Sequence, residues 1–256
     1  MHPILFDFHG FHLYTYGLFV ALGFMAAVFV TQRLARPHGI KEQSITDIYF
    51  VILISALAGA RGLYVIVSFE SYKNNLLDIF KIWNGGLVFF GGFIAAVAAV
   101  LVYLKIKKLN VWLVADLISP GIALGHALGR IGCLFAGCCY GKSCDLPIAI
   151  TFTHPDSLAP LNTALHPTQL YMVGSNLLLF FILLFVTKMK RFTGMVFLVY
   201  IMLYALFRFI VEFFRGDFRG TFFFDFLSVS QGIGLFVFLT ALVLLIKLSG
   251  TVNGRR

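Results

Sequence analysis

Long apolar runs alternate with short polar connections along the whole chain. Seven of the runs come near the roughly 20 residues that a helix needs to cross a bilayer. They lie at Tyr14 to Gln32, Ile48 to Val67, Leu87 to Leu104, Val111 to Gly132, Pro167 to Thr187, Phe192 to Phe214 and Phe226 to Ile246. We therefore predict an all-α integral membrane protein with seven transmembrane helices.

The composition supports the same fold class. Hydrophobic residues make up 60% of the 256 residues and charged residues 12%, and the mean hydropathy is +0.92, which excludes an ordinary soluble domain. We predict one polytopic membrane domain over residues 1–256. The longest connection, at about residues 133–165, contains three prolines and few basic residues, so we expect an irregular arm at the membrane surface.

The distribution of basic residues predicts the orientation. Of the 20 lysines and arginines, twelve lie in connections on one side, five lie on the other and three lie inside apolar runs. The positive-inside rule then places the N-terminus outside and the C-terminus in the cytoplasm. The first ten residues contain no lysine or arginine, so we expect the first run to remain as a helix. The net charge of +9 comes largely from this asymmetry, which anionic lipid of the inner leaflet favours, so we expect no nucleic-acid partner.

Three arginines and a glutamate interrupt the apolar runs: Arg61, Arg130, Arg208 and Glu212. A charge at the bilayer centre costs about 2.5 to 3.5 kcal/mol, and a rise of 1.5 Å per residue places Arg61 and Arg208 roughly 10 to 12 Å below the outer surface. Guanidinium groups outnumber carboxylates there, which indicates an anionic ligand such as a phospholipid head group. The alternative for helix six is an ion pair between Arg208 and Glu212 that neutralises itself.

Further polar side chains cluster near the same surface. Tyr16 begins the first run, His126 lies one turn below Arg130, His166 begins the fifth run, and Arg215 continues the stripe of Arg208. A secondary transporter would more naturally bind its substrate near the midplane, between repeated halves. The chain shows no internal repeat, so a transporter is less favoured.

All four cysteines lie within twelve residues at the outer end of the fourth run. A disulfide is the favoured interpretation, because this loop faces an oxidising compartment. A zinc site is less favoured because two cysteines are adjacent and the spacing departs from paired zinc knuckles. A free thiolate near Arg130 acting as a covalent acceptor and inert small residues remain open. We expect no metal and no cofactor. The cysteines are Cys133, Cys138, Cys139 and Cys144.

Seven short motifs, in order, resemble one known family, the bacterial prolipoprotein diacylglyceryl transferases. The resemblance covers nearly the whole chain and independently implies seven helices with the N-terminus outside. The motifs are Tyr14 to Leu18, Ala60 to Tyr64, Ile82 to Gly86, Gly129 to Gly132, His166 to Tyr171, Arg208 to Arg215 and Leu227 to Gln231.

The resemblance implies a multi-pass enzyme of the bacterial inner membrane. Such a transferase moves the diacylglyceryl group of phosphatidylglycerol to the lipobox cysteine thiol in the signal peptide of a prolipoprotein, and releases glycerol phosphate. By resemblance Arg130 and Arg208 contact the lipid head group, and Glu212 orients Arg208. It also implies that Tyr16 lines the site and that Gly141 closes a signature loop. We predict further substrate contacts from Arg61, His166 and Arg215.

The chain also departs from the family pattern. The histidine proposed as the base in the third-helix motif is Phe90 here, and phenylalanine cannot accept a proton. Asparagine and glutamate positions of the pattern are occupied by Cys133, Ala136, Cys138 and Met172. The Gly-Cys-Cys-Tyr-Gly loop at residues 137–141 fits a variant of the family.

The missing base leaves the proton acceptor open. We hypothesise that His126 replaces it, the alternative being a histidine that is merely hydrogen-bonded between helices. Two other functions remain possible: a non-catalytic protein that binds or translocates phospholipid, and a thiol-redox protein that uses the four cysteines.

Overall fold

A computed structural model describes residues 2–8, 11–73, 75–81, 85–217, 221–222 and 227–253. Within these ranges seven helices are long and apolar enough to cross a membrane, which confirms the predicted all-α membrane fold with seven spans. They are α1 Thr15–Ala35, α2 Glu42–Val67, α3 Phe89–Ile106, α4 Val111–Ala136, α5 Thr168–Met189, α6 Met195–Glu212 and α7 Val229–Asn253. The predicted orientation of the termini stays a prediction.

Short antiparallel strand pairs complete the described connections. They are β1 Ile4–Phe8 with β2 Phe11–Tyr14, β3 Ile150–Thr151 with β4 Ala164–Leu165, and β5 Thr221–Phe222 with β6 Leu227–Ser228. Helix α4 continues to Ala136, so the arm begins after that residue and not at residue 133. The arm is more ordered than expected, because β3 and β4 enclose a small core of Phe152, Ala159 and Leu165.

The chain forms two compact units. The larger unit contains Met1–Thr31 and Ala115–Arg256, and the smaller unit contains Gln32–Val114. In the smaller unit α2 and α3 pack backbone to backbone, since a Cβ on Gly59 would lie 2.5 Å from the carbonyl oxygen of Gly91. Tyr103 of α3 also donates a hydrogen bond of 3.0 Å to Asp47 of α2. The assignment of one domain to the whole chain stays a prediction.

Glycines also bring α1 and α4 together in the larger unit. A Cβ on Gly23 would lie 2.8 Å from the carbonyl oxygen of Gly125, and one on Gly132 would lie 3.2 Å from the Cα atom of Tyr16. Small residues permit this close approach. The contact places Tyr16 beside the end of α4 that carries Arg130.

A carboxylate from α4 holds the beginning of α6. Asp116 is 1% exposed, and its two oxygens accept hydrogen bonds from the backbone N–H groups of Gly194, at 2.8 Å, and Phe197, at 2.9 Å. The first N–H groups of a helix lack partners within the helix and carry partial positive charge. Asp116 therefore positions α6, which carries Arg208 and Glu212 at its other end.

Candidate active site

Two arginines and a glutamate form a buried ion cluster at the end of α6. Arg208 Nη1 lies 2.7 Å from Glu212 Oε2, and Arg215 Nε lies 3.8 Å from the same oxygen. The side chain of Arg208 is 13% exposed, that of Glu212 is 8% exposed and that of Arg215 is 3% exposed. Because a buried ion pair is screened much less than a surface pair, this cluster determines the local charge.

The Arg208 guanidinium is oriented by Glu212 without being fully bonded. The contact between Nη1 and Oε2 is a salt bridge. Glu212 Oε1 accepts a hydrogen bond of 3.1 Å from Ser228 Oγ. No described residue accepts a hydrogen bond from Arg208, which leaves its planar fork available to an anion.

Arg130 supplies the uncompensated charge of the site. It is partly buried on α4, and its charge acts on both Arg208 and Arg215. Within the described ranges no carboxylate lies within ion-pair distance of Arg130. Glu212 and Asp217 offset two of the three guanidinium charges, whereas the charge of Arg130 acts on the thiols of Cys139 and Cys133.

Arg215 has more partners than Arg130. Its Nε and Nη2 donate to the two carboxylate oxygens of Asp217 at 2.9 and 2.6 Å, and its side chain is also hydrogen-bonded to Cys139. Burial alone would lower the pKa of Arg215, but the hydrogen bonds to Asp217 and Cys139 raise it above its ordinary value. Its predicted contact with substrate stays a prediction.

The signature loop at residues 137–141 is held by the beginning of α5. Gln169 Nε2 donates to the carbonyl oxygen of Cys138 at 2.9 Å, and Thr168 Oγ1 donates to that of Cys139 at 2.7 Å. Gly137 and Cys139 both adopt left-handed backbone angles, with φ of 74° and 61°. The loop is therefore a tight turn fixed by two buried polar side chains.

Gly141 lies where three backbone segments meet. Its N–H donates to the carbonyl oxygen of His166 at 3.1 Å. Its backbone also forms an isolated antiparallel β-bridge with that of Arg215. A Cβ at this position would lie 2.5 Å from His166 and 2.8 Å from the carbonyl oxygen of Phe214. The resemblance implied that Gly141 closes the loop, and these distances give a steric reason for a glycine there.

Three of the four cysteines converge beside the arginines. The sulfur atoms of Cys133, Cys138 and Cys139 all lie within 4.8 Å of one another, and Cys144 is outside this thiol cluster. The structure contains no disulfide between these four cysteines, and the disulfide favoured on sequence stays a prediction. Spacing along the chain could not indicate the convergence, because it depends on the turn at residues 137–141.

The thiol cluster distributes its protons unevenly. Hydrogen bonds from Cys133 and Cys138, assisted by Arg215 and the charge of Arg130, lower the pKa of Cys139 well below its usual range. The pKa of Cys138 is raised, since its hydrogen bonds with Cys133 and Cys139 and its burial favour the neutral thiol. Cys139 is therefore the most acidic thiol of the cluster.

Tyr16, His126 and His166 lie in the larger unit, which also contains the arginines of α4 and α6. Tyr16 is 44% exposed and lies near Arg130 and the thiol cluster. The His126 ring packs against Tyr204, with 5.4 Å between the ring centroids, and no described residue is hydrogen-bonded to it. His166 Nδ1 lies 3.0 Å from the hydroxyl of Tyr171. The predicted roles of Tyr16, His126 and His166 stay predictions.

Arg61 lies in the smaller unit and is saturated by backbone oxygens. It is 7% exposed, and the rings of Tyr64 and Tyr72 flank its guanidinium at 5.7 and 5.5 Å. The sequence suggested an anionic ligand because no acidic partner was evident, but carbonyl groups meet this need. Its predicted contact with substrate stays a prediction. The accepting carbonyl groups belong to Asp78, Ile79, Lys81, Gly85 and Gly86.

The chain is similar to known proteins over nearly its whole length. The family model described as prolipoprotein diacylglyceryl transferase matches residues 3–247. A phosphatidylglycerol–prolipoprotein diacylglyceryl transferase of Clostridium tetani is 40% identical over 236 residues, which cover 92% of this chain and 93% of the relative. One of Finegoldia magna is 35% identical over 248 residues, or 96% of each chain, and transferase 2 of Clostridium perfringens is 32% identical over 244 residues, or 95% and 94%.

Proposed function

The chain belongs to the prolipoprotein diacylglyceryl transferase family, and from this premise we propose that it transfers the diacylglyceryl group of phosphatidylglycerol to a prolipoprotein. It is a multi-pass membrane protein and a transferase. The acceptor is the thiol of the lipobox cysteine in the precursor's signal peptide, and the second product is glycerol phosphate. We place the enzyme in the bacterial inner membrane, with the arginine site facing outward, in keeping with the distribution of basic residues.

The uncompensated charge of Arg130 is the observation that carries the proposal. Transfer requires a sulfur atom to attack the glycerol carbon while the bond between that carbon and a phosphate oxygen breaks. Negative charge then develops on the departing phosphate, and positioned cations stabilise it most effectively in a site with little water. Arg130 has no carboxylate partner among the described residues, and the fork of Arg208 is oriented by Glu212 at 2.7 Å.

The remaining residues support this arrangement. Glu212 and Gly141 are positioning residues, the first through Arg208 and the second through the turn that presents the loop. Tyr16 lies beside Arg130 and lines the space for the lipid. Two groups near Arg130 could withdraw the acceptor proton, namely His126 one turn below and the thiol cluster.

A reconstituted assay tests the proposal. Purified full-length protein is incubated with phosphatidylglycerol labelled in its acyl chains and with a lipobox peptide, and thioether-linked lipid on the peptide is measured by mass spectrometry. Replacing Arg130 by alanine should lower kcat/KM by about 100-fold or more, which corresponds to the loss of one positioned cation. The matched control is Arg191→Ala, which removes an exposed arginine four residues before the beginning of α6 and should leave the rate within about twofold.

The products separate this function from the alternatives. Phosphatidylglycerol binding without any thioether product would identify a non-catalytic lipid-binding protein and overturn the proposal. Full activity in the Arg130→Ala variant would overturn the assigned role of the guanidinium. A redox function would instead require the cysteines and tolerate the loss of Arg130.

A further inference from the structure

The thiol cluster has the dimensions of a metal site. Zinc bound by thiolates has Zn–S distances of about 2.3 Å, which place the ligand sulfur atoms of a tetrahedral site about 3.8 Å apart. The sulfur atoms of Cys133, Cys138 and Cys139 already lie within 4.8 Å of one another. Small rotations of the side chains would therefore bring all three within bonding distance of one ion.

The backbone is bent to bring the sulfur atoms together. Side chains of adjacent residues in extended chain point to opposite sides, but Cys139 has a φ of 61°, which a non-glycine residue rarely adopts. Such strain persists only where the surroundings enforce it, and it concentrates at functional sites. The hydrogen bonds from Thr168 and Gln169 to the carbonyl oxygens of the two cysteines enforce it here.

The charges around the thiol cluster suit an anionic metal complex. Three thiolates and one zinc ion carry one net negative charge, and a fourth thiolate ligand makes two. The guanidinium groups of Arg130 and Arg215 both act on the cluster, so positive charge lies beside the sulfur atoms even though Asp217 already pairs with Arg215. The hydrogen bond between Arg215 and Cys139 is the kind of outer contact that orients metal ligands.

We propose that Cys133, Cys138 and Cys139 bind one zinc ion through their sulfur atoms, and that the acceptor cysteine of the prolipoprotein occupies the fourth position. Catalytic zinc sites have three protein ligands and one open position, whereas structural sites are closed by four. This inference rests on the proposed function. It accounts for a transferase in which Phe90 replaces the histidine expected as base.

The zinc ion activates the acceptor without any change in its oxidation state. A coordinating thiol loses its proton, and that proton passes to water at the outer surface. The bound thiolate sulfur then attacks the glycerol carbon and forms the C–S bond. The electron pair of the breaking C–O bond leaves with the phosphate, so glycerol phosphate departs with one additional negative charge beside Arg130 and Arg208.

Cobalt substitution gives a readout that is independent of catalysis. The full-length protein in detergent, kept reduced and freed of metal with a chelator, is titrated with Co²⁺. We expect intense sulfur-to-cobalt charge-transfer absorption and the visible bands of tetrahedral Co²⁺, saturating at about one ion per chain. Replacing Cys133, Cys138 or Cys139 by serine should weaken binding by at least about 100-fold. The Cys144→Ser control should bind like the unaltered protein.

The acceptor position is tested with the same cobalt protein. A lipobox peptide with cysteine should shift the visible bands, whereas the matched peptide with serine should not. The chelator should abolish transfer by the unaltered protein, and added Zn²⁺ should restore it. These measurements need no cysteine variant, so a variant that fails to fold does not affect them.

The outcomes separate the two proposals. Full transfer activity in chelator-treated protein that shows no cobalt–thiolate absorption would overturn the zinc site and leave the transferase function intact. A disulfide within the thiol cluster of the active, isolated protein would overturn it as well. Cobalt–thiolate absorption without thioether product in the zinc-loaded protein would retain the metal site but contradict the transferase, and with it the role of the acceptor.

Discussion

Replacing Asp116 by asparagine should loosen the beginning of α6 without affecting the chemistry. Both carboxylate oxygens accept hydrogen bonds from backbone N–H groups, at 2.8 and 2.9 Å, and the side chain is 1% exposed. Asparagine keeps one accepting oxygen but turns an NH₂ group toward the second N–H. The loss of one charge-assisted bond and the burial of an unpaired donor together cost about 3 kcal/mol.

Thermal unfolding of the full-length protein in detergent measures this loss. For a chain of this size about 1 kcal/mol lowers Tm by about 2 to 4 °C, so Asp116→Asn should lower it by about 6 to 12 °C. The matched control is Asp145→Asn, since Asp145 is exposed on the arm and its replacement should change stability by no more than about 0.5 kcal/mol.

The same variant separates a structural role from a catalytic one. The 18 residues of α6 extend for about 27 Å, so Asp116 is remote from Arg208 and Glu212. Below its unfolding temperature the Asp116→Asn protein should keep the KM for phosphatidylglycerol and lose kcat by no more than a few-fold. An unchanged Tm would refute the capping role, and an inactive protein with an unchanged Tm would place Asp116 in the active site.

Three further substitutions test the site. Glu212→Gln should lower kcat by about 100-fold, because it leaves the buried Arg208 charge uncompensated at a cost of about 3 kcal/mol. Steady-state kinetics with phosphatidylglycerol measure this effect. A change in KM alone would contradict the positioning role of Glu212. Gly141→Ala should reduce stability by about 1 to 3 kcal/mol through overpacking and reduce activity with it. Its matched control is Gly174→Ala, where a Cβ meets no atom within 4 Å and which should change neither quantity in the same unfolding and transfer assays. His126→Ala should retain activity within about tenfold if zinc activates the acceptor thiol, and a loss of 1000-fold or more with cobalt binding intact would assign the base to His126 instead.

The helices were predictable from the sequence because each span needs a long apolar run, and a helix satisfies its backbone hydrogen bonds within the one segment. Their ends were less predictable. Helix α2 begins at Glu42, six residues before the apolar run, because a polar first turn continues a helix beyond the hydrocarbon layer. Helix α4 similarly extends to Ala136, which makes Cys133 helical.

The convergence of the thiols could not be read from the sequence. Cys138 and Cys139 are brought to Cys133 by a left-handed residue and by side-chain donors 29 and 31 positions further along the chain. Spacing rules for zinc ligands describe regular turns between paired cysteines. A site assembled by a strained turn does not follow those rules, and so the sequence favoured a disulfide there.

The arginines show why charge inside an apolar run does not by itself identify a ligand site. A guanidinium group in a membrane needs acceptors, and three kinds meet that need in this protein. Backbone carbonyl groups surround Arg61, while carboxylates pair with Arg208 and Arg215. Only Arg130, among these four and within the described residues, has neither. Its charge acts instead on the thiols of Cys139 and Cys133, and we propose that the phosphate of the substrate lipid also lies beside it.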